Sequence, residues 1–353
     1  MLNIAHVVES TATGTLSIVS LCANSLVEKG NKVTVIYSRK DDTPENLSDY
    51  FNDDIDLIEV NIKRTSLLSI YRIFKVIKSI SPDIVHCHSS FAGFFARIAV
   101  IGINVKVYYS PHCISFMRKD IGFYKRKIFE LTERVACLKP SIYVACSNSE
   151  KRALIDSIPF VNVRLLENAV DLTSFSKSKY RNKPTERKRV ITVGGIRPQK
   201  GFIEYSEISN YFKNEEVDFV WIGDGDVETK KTLTESGVTV TGWKSREEVI
   251  EELYSADLYL STALWEGMPV SLIEACAADL PIIARSCAGN VDVVEHKKTG
   301  HLFDNTKEAI DLIEQFLQNS EPYKKYADNA YNTVFERFSV ERFSKELMEI
   351  YNN

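Results

Sequence analysis

The sequence predicts an α/β protein made of two doubly wound parallel-sheet domains. Three observations carry this expectation. The chain has 353 residues, long for one hydrophobic core and suited to two. Short apolar runs of strand character alternate with helical periods along its length, the pattern of a parallel sheet covered on both faces. One stretch, residues 172–188 (LTSFSKSKYRNKPTERK), is polar, basic and poor in apolar side chains, so it reads as a linker.

The first half opens with an apolar run, Asn3 to Val8, expected to be a strand. A small polar loop, Glu9 to Thr15, follows and contains Gly14 and Thr15. Leu16, Val19, Leu26 and Val27 then keep a helical period that stops at Gly30, a suitable residue just past a helix end. Lys32–Tyr37 is the next strand, which completes a βαβ unit. Its first turn belongs at the carboxyl ends of the strands, where open α/β sheets bind ligands. The turn has no G-x-G-x-x-G, so no dinucleotide fingerprint is present. Ile55–Val60, Asp83–Cys87, Val105–Ser110 and Ile142–Cys146 read as further strands, with helices near 68–80, 91–101 and 122–138.

His86 and His88 flank Cys87 at a strand end. Packing and hydrogen bonding at the sheet top outweigh metal ligation there, because no third ligand is evident in the sequence. His112 follows the strand Val107-Tyr108-Tyr109-Ser110 and Pro111, and should face the ligand side of the sheet.

The second half begins with Arg189–Val193 as a strand and Gly194-Gly195-Ile196-Arg197-Pro198-Gln199-Lys200-Gly201 as its turn. Gly195 permits close backbone approach, and Arg197 and Lys200 can grip a diphosphate. Val217–Ile222 and Val238–Thr241 are strands, the latter followed by Gly242-Trp243-Lys244. Two strings spell D-x-D, Asp54-Ile55-Asp56 and Asp224-Gly225-Asp226. The first opens an apolar strand and the second follows a strand end, so both read as structural.

The richest stretch is Leu260 to Asn290. Asp257–Ser261 is a buried strand, and Trp265-Glu266-Gly267-Met268 a tight turn. Pro269 stands where a helix can begin, since its missing N–H is an orphan there anyway. The free N–H groups near Val270 welcome an anion. Glu266 lies before the helix and Glu274 about two turns into it, so carboxylates can meet ligand hydroxyls at the mouth and along the flank. An anion site between hydroxyl-binding carboxylates describes a nucleotide sugar. Asp279 ends the helix, Pro281 starts the next strand, and Asn305 onward is helical, ending with Val340–Tyr351.

The run E-G-M-P-V-S-L-I-E-A, then L-P-I-I-A, G-N-x-D-V-V-E and T-G-H-L-F, resembles the donor half of retaining glycosyltransferases of family 4, which have the GT-B fold. D-I-V-H-C-H-S and Asn168-Ala169-Val170-Asp171 with Phe175 are similar to strand and hinge patterns of its first half. The resemblance implies two Rossmann-like domains with a cleft between them. An acceptor domain spans 1–171, rejoined by the last helix at about 339–353. A nucleotide-sugar domain spans 189–338.

The resemblance also implies site roles. Glu266 and His112 would act at the transferred sugar. Gly14, Thr15, Gly195, Arg197, Lys200, Gly242, Trp243, Gly267, Met268, Pro269, Val270 and Glu274 would bind the donor. Three positions depart from the family pattern: Gly195 stands where an Arg is usual, one glycine replaces a pair at Thr13-Gly14-Thr15, and Ala169 replaces the glycine of the hinge motif. The implied reaction is retaining, needs no cofactor or metal, and moves a hexose or N-acetylhexosamine from a UDP-sugar to a saccharide, free or lipid-linked. An epimerase or hydrolase of UDP-N-acetylhexosamines and a non-catalytic nucleotide-sugar sensor are the rival readings.

Composition narrows the rest. Hydrophobic residues make up 44% and charged residues 26%, ordinary for a globular chain. No apolar run is long enough to span a bilayer, and MLNIAHVVES has no basic segment before its apolar residues, so neither an anchor nor a signal peptide is expected. The seven cysteines contain no C-x-x-C, as suits a reducing cytoplasm. Residues 1–180 hold 23 Lys+Arg against 18 Asp+Glu, and the remainder 21 against 30. No nucleic-acid module is recognisable. Two stretches of the first half, Tyr71–Ile80 and Phe116–Lys127, mix cations with apolar residues and are expected to offer an anionic membrane surface a docking face on the cytoplasmic side.

Overall fold

The computed structural model describes residues 1–9, 13–40, 43–63, 66–175 and 187–352. Most of the expected linker, 176–186, lies outside the described residues. The chain forms two compact units, Met1–Asn168 with Glu341–Asn353, and Ala169–Val340.

The first unit contains β1 (Asn3–Val8), α1 (Thr13–Glu28), β2 (Lys32–Tyr37), β3 (Ile55–Glu59), α2 (Leu68–Ile80), β4 (Ile84–His88), α3 (Ser90–Ala99), β5 (Lys106–Ser110), α4 (Phe123–Ala136), β6 (Ile142–Ala145), α5 (Asn148–Ser157) and β7 (Asn162–Leu165). The strands form one sheet in the order β3-β2-β1-β4-β5-β6-β7. Every pairing is parallel. The central strands are largely apolar because helices cover both faces of the sheet and bury most of their side chains. The order reverses between β1 and β4, and the ends of these two strands and their neighbours mark the ligand side.

The second unit repeats the plan. It has β8 (Lys188–Val193), α6 (Phe202–Tyr211), β9 (Val217–Ile222), α7 (Val227–Glu235), β10 (Thr239–Val240), α8 (Arg246–Tyr254), β11 (Leu258–Ser261), α9 (Val270–Ala277), β12 (Ile282–Arg285), α10 (Asn290–Val293), β13 (His301–Phe303), α11 (Thr306–Gln318) and α12 (Glu321–Arg337). Its sheet runs β10-β9-β8-β11-β12-β13, all parallel, with the reversal between β8 and β11. The last helix, α13 (Val340–Asn352), packs in the first unit. There the Tyr108 hydroxyl donates to Ile350 O at 3.1 Å, and Arg342 donates to the carbonyls of Glu167 and Asn168.

Four local expectations need correction. Gly14 and Thr15 are not in a loop but in the first turn of α1; Ser10–Ala12 of that loop lie outside the described residues. Strands β7 and β13 had no forecast; both are short, and β7 is a half-exposed edge strand with a polar start. The basic-apolar stripe of Tyr71–Ile80 turns Ile73 and Ile77 into the core, with Phe74 packed against it. Phe116 is likewise buried.

Candidate active site

In the second unit, the turn after β8 and the turn after β11 meet at the point of reversal. Gly201 has φ +66°, and a Cβ there would sit 2.1 Å from Thr262 O, so only glycine lets the two loops approach. Thr262 Oγ1 donates to the carbonyls of Lys200 and Gly201, both at 2.9 Å, and Leu264 N donates to Gln199 O. This lacing brings Lys200 Nζ within 2.8 Å of Glu266 Oε1, while Gln199 Nε2 donates to Glu266 Oε2 at 3.1 Å. Burial lowers the Lys200 pKa, but the Glu266 carboxylate, with smaller help from Tyr259 and Cys287, holds the amine above its ordinary value. Glu266 is fixed from behind as well: its N–H donates to Ala288 O, and Gly289, at φ +88°, leaves no room for a Cβ, which would fall 2.5 Å from Glu266 Cβ.

Helix α9 begins at Val270 with Pro269 as its N-cap and no side chain capping it. Leu272 N and Ile273 N donate to Pro269 O, which leaves the Val270 and Ser271 amides available to an anion. Glu274, buried on the same helix, pairs with Arg246 at the start of α8, Nη1 to Oε1 2.8 Å. Burial pushes its carboxyl pKa up, opposed by the Arg246 charge. Gly267, Met268 and Pro269 are buried in the turn. Gly195 lies against both Arg197 and Trp243: a Cβ on it would be 3.2 Å from Arg197 Nε and 3.3 Å from the Trp243 ring. Gly242 bridges to Gly223 in antiparallel fashion, and Trp243 and Arg197 are exposed. The donor-binding candidates from Gly195 to Glu274 thus come together at one end of this sheet. Asp224 is engaged by Lys230 at 2.8 Å, and Asp226 caps α7 by accepting from Thr229 N.

In the first unit, His112 follows β5 with φ +54°, and Cys113 with φ +89°. Two successive left-handed non-glycine residues are costly and must be held from outside. Glu150 does this. Its Oε1 accepts from Cys113 N and Ile114 N at 2.8 and 2.9 Å, and its Oε2 from Cys146 N at 3.0 Å. Burial raises the Glu150 pKa, and those bonds pull against the rise. His112 Nε2 bonds His88 Nδ1 at 2.9 Å, and His88 Nε2 in turn bonds His6 Nδ1 at 2.9 Å. His86 belongs to a separate pair of bonds, with the Tyr351 hydroxyl at 2.6 Å and Ser110 Oγ at 2.9 Å. Burial lowers the His112 pKa to about 4 and that of His6 to about 3, so both rings are neutral near pH 7. His6, His86 and His88 offer nitrogens within 4.8 Å of one another, so β1 supplies the third imidazole that the sequence could not show. Gly14 and Thr15 lie at the start of α1, after β1.

Sequence reasoning missed Gln199, Arg246 and His6, and gave Glu150 no task. The Arg246 to Glu274 pair spans 28 residues and His6 to His88 spans 82, so no local pattern announces either.

Twin parallel-sheet units with ligand-side turns at their points of reversal are the architecture of the GT-B glycosyltransferases. The chain belongs to that group: residues 15–174 match Glycosyltransferase Family 4 and residues 174–333 match Glycosyl transferases group 1. Among its relatives is an uncharacterized 41.2 kDa protein in the cps region of Klebsiella pneumoniae, 27% identical over 76% of this chain and 80% of the relative. Another is the Escherichia coli UDP-Gal:alpha-D-GlcNAc-diphosphoundecaprenol alpha-1,3-galactosyltransferase, 27% identical over 73% of each. The crystal structure of Anabaena Alr3699/HepE in complex with UDP-glucose shares the fold, with a TM-score of 0.83 over 100% of both chains at 15% identity.

Proposed function

We propose that this chain is a retaining glycosyltransferase of surface-polysaccharide synthesis. It moves a hexose or N-acetylhexosamine from a UDP-sugar to a lipid-linked saccharide. The observation that carries the reading is the pairing of Lys200 with Glu266 beside the uncapped start of α9, with the Arg246–Glu274 pair on the same helix. A diphosphate is an acceptor-rich dianion, and a lysine with a raised pKa next to free amides suits it.

In this reading Lys200, Arg197 and the α9 amides stabilise charge on the departing diphosphate. Glu274 takes the ribose hydroxyls, and Glu266 holds the sugar. His112 is assigned to the transferred sugar. Trp243 and Gly242 lie by the base, Gly195 and Gly267 to Val270 line the phosphates, and Gly14 and Thr15 stand at the first unit's helix start. The acceptor hydroxyl attacks the sugar on the face the diphosphate leaves, and the departing phosphate takes its proton. No metal is needed for a charge that two cations and the helix amides already meet.

The lipid-linked acceptor is supported by the Escherichia coli relative, whose name gives a diphosphoundecaprenol acceptor. UDP is supported by that name and by the Anabaena structure. Helix α4 fits the same reading. No helix among the described residues is long and apolar enough to cross a membrane, but α4 exposes Tyr124, Ile128, Leu131 and Val135, spaced as one helical face. Lys125 lies on one side of that face and Lys127 and Arg134 on the other, a pattern for an anionic bilayer surface.

Nucleoside diphosphate release, measured with and without a lipid-linked saccharide, tests the function. Release that requires the acceptor, with an unchanged anomeric configuration in the product, is expected. Release without acceptor would make the chain a hydrolase or epimerase, and binding without release a sensor.

A further inference from the structure

We infer that His6 and His88 are positioning residues that lock His112 as its Nδ1–H tautomer, so that His112 presents a hydrogen-bond donor to its ligand and not a base. The inference rests on the assignment of His112 to the donor sugar. The His88 and His112 rings lie with centroids 5.2 Å apart and planes 9° apart, and the His6 and His88 rings at 5.1 Å and 26°. With nitrogens 2.9 Å apart in both pairs, the bonds run along the ring planes, head to tail. The rings form a chain and not a face-to-face pile.

A neutral imidazole has one N–H and one lone pair, so such a chain has only two polarities. In one, protons point inward: His112 Nε2–H to His88, His88 Nε2–H to His6, and an N–H left on His6 Nε2. That nitrogen is buried and has no hydrogen-bond partner among the described residues. In the other, protons point outward: His6 Nδ1–H to His88 Nε2, His88 Nδ1–H to His112 Nε2, and an N–H on His112 Nδ1. The outward polarity leaves a lone pair, not an N–H, at the buried end; orphaned N–H groups are rare among buried backbone amides, and we extend that cost to the imidazole N–H. His6 and His88 are wholly buried and His112 is half-buried, so the donor emerges at the accessible end.

The backbone reinforces the chain. Glu150 fixes the two residues after His112 through their amides, which sets the loop, while His88 sets the ring. A histidine held this way cannot turn its Nε2 lone pair to an acceptor hydroxyl, because that lone pair already receives the His88 proton. Transfer must then proceed without a histidine base, and His112 contributes one oriented N–H.

The test is 15N NMR of selectively [15N]histidine-labelled protein, without substrate, near neutral pH. His112 is expected to show a protonated Nδ1 and an unprotonated Nε2. His88→Phe, which removes the relay, should return His112 to the Nε2–H form that free imidazoles favour and lower kcat roughly tenfold, the scale of one hydrogen bond in the transition state, with donor KM little changed. His88→Gln, which keeps one acceptor and one donor, should restore both the tautomer and most of the rate. An Nε2–H signal for His112 in the unaltered protein overturns the inference, as does an Nδ1–H signal that persists in His88→Phe. If His88→Phe does not fold, His6→Leu serves in its place and the unaltered spectrum still decides the polarity. An Nδ1–H signal together with full activity in His112→Ala would leave the chain standing and remove His112 from the reaction, which separates the two ideas.

Discussion

Glu274 is buried, paired with Arg246, and carried on the helix whose first turn is open. If it receives the ribose hydroxyls, Glu274→Ala leaves them and Arg246 without a partner. The loss of a charged hydrogen-bond partner costs about 2 kcal/mol, or roughly thirtyfold in donor affinity. Calorimetry with the nucleotide sugar checks this, and unchanged affinity removes Glu274 from the site. The acidic strings lead to a second expectation at this scale. Asp224 is neutralised by Lys230 and Asp226 is spent on the α7 amides. Activity should therefore survive EDTA, and a loss reversed by Mn²⁺ or Mg²⁺ would assign one of these strings to a metal.

Helix α4 shows what an element can do that no single residue can. Its inward face carries Glu133 and Ala136 to the core, where Glu133 pairs with the buried Arg97 at 2.6 Å. Its outward face stays open among the described residues, with Tyr124 83% and Leu131 61% exposed. Cations beside such a face are worth about 1 kcal/mol each against anionic headgroups. Liposome flotation should show binding that requires anionic lipid and falls with salt. Changing Lys125, Arg126 and Lys127 to Glu should abolish it, and equal flotation on neutral lipid would reject the charge term. The element scale also shows where pattern reading stops. The mixed run Tyr71–Ile80 has the same composition, yet its apolar side chains point inward, because α2 packs along α3 and the sheet with that face.

At the scale of the whole molecule, the buried histidines tie stability to pH. His6 and His112 have folded pKa values of about 3 and about 4, below the value of 6.5 for the free group. Between those limits the unfolded chain binds more protons than the folded one, so stability is full above about pH 6.5 and falls as pH drops toward 4. Each group contributes about 1.4 kcal/mol for each pH unit below its free value. Urea unfolding should accordingly show an earlier transition near pH 5.5 than near pH 7.5. His6→Gln should flatten that difference by about 1.4 kcal/mol, and an unchanged difference would mean His6 does not titrate in this way.

The sequence by itself determined the strand and helix alternation, the two parallel sheets and the donor-side turns. Each of these is written in local chemistry. Runs such as Ile282–Arg285 and Val217–Ile222 are apolar because both sheet faces are covered, and Pro269 opens a helix because of what its own ring lacks. Gly201 was legible as a turn residue, but its reason, a carbonyl from 61 residues away, was not. Only the tertiary structure decided which side chains meet. Lys200 finds Glu266, Arg246 finds Glu274, and His6 finds His88 across neighbouring parallel strands, where partners are brought together by sheet order. It also decided which apolar faces are buried, since a helix of either kind carries the same residues and only its neighbours determine whether water reaches them.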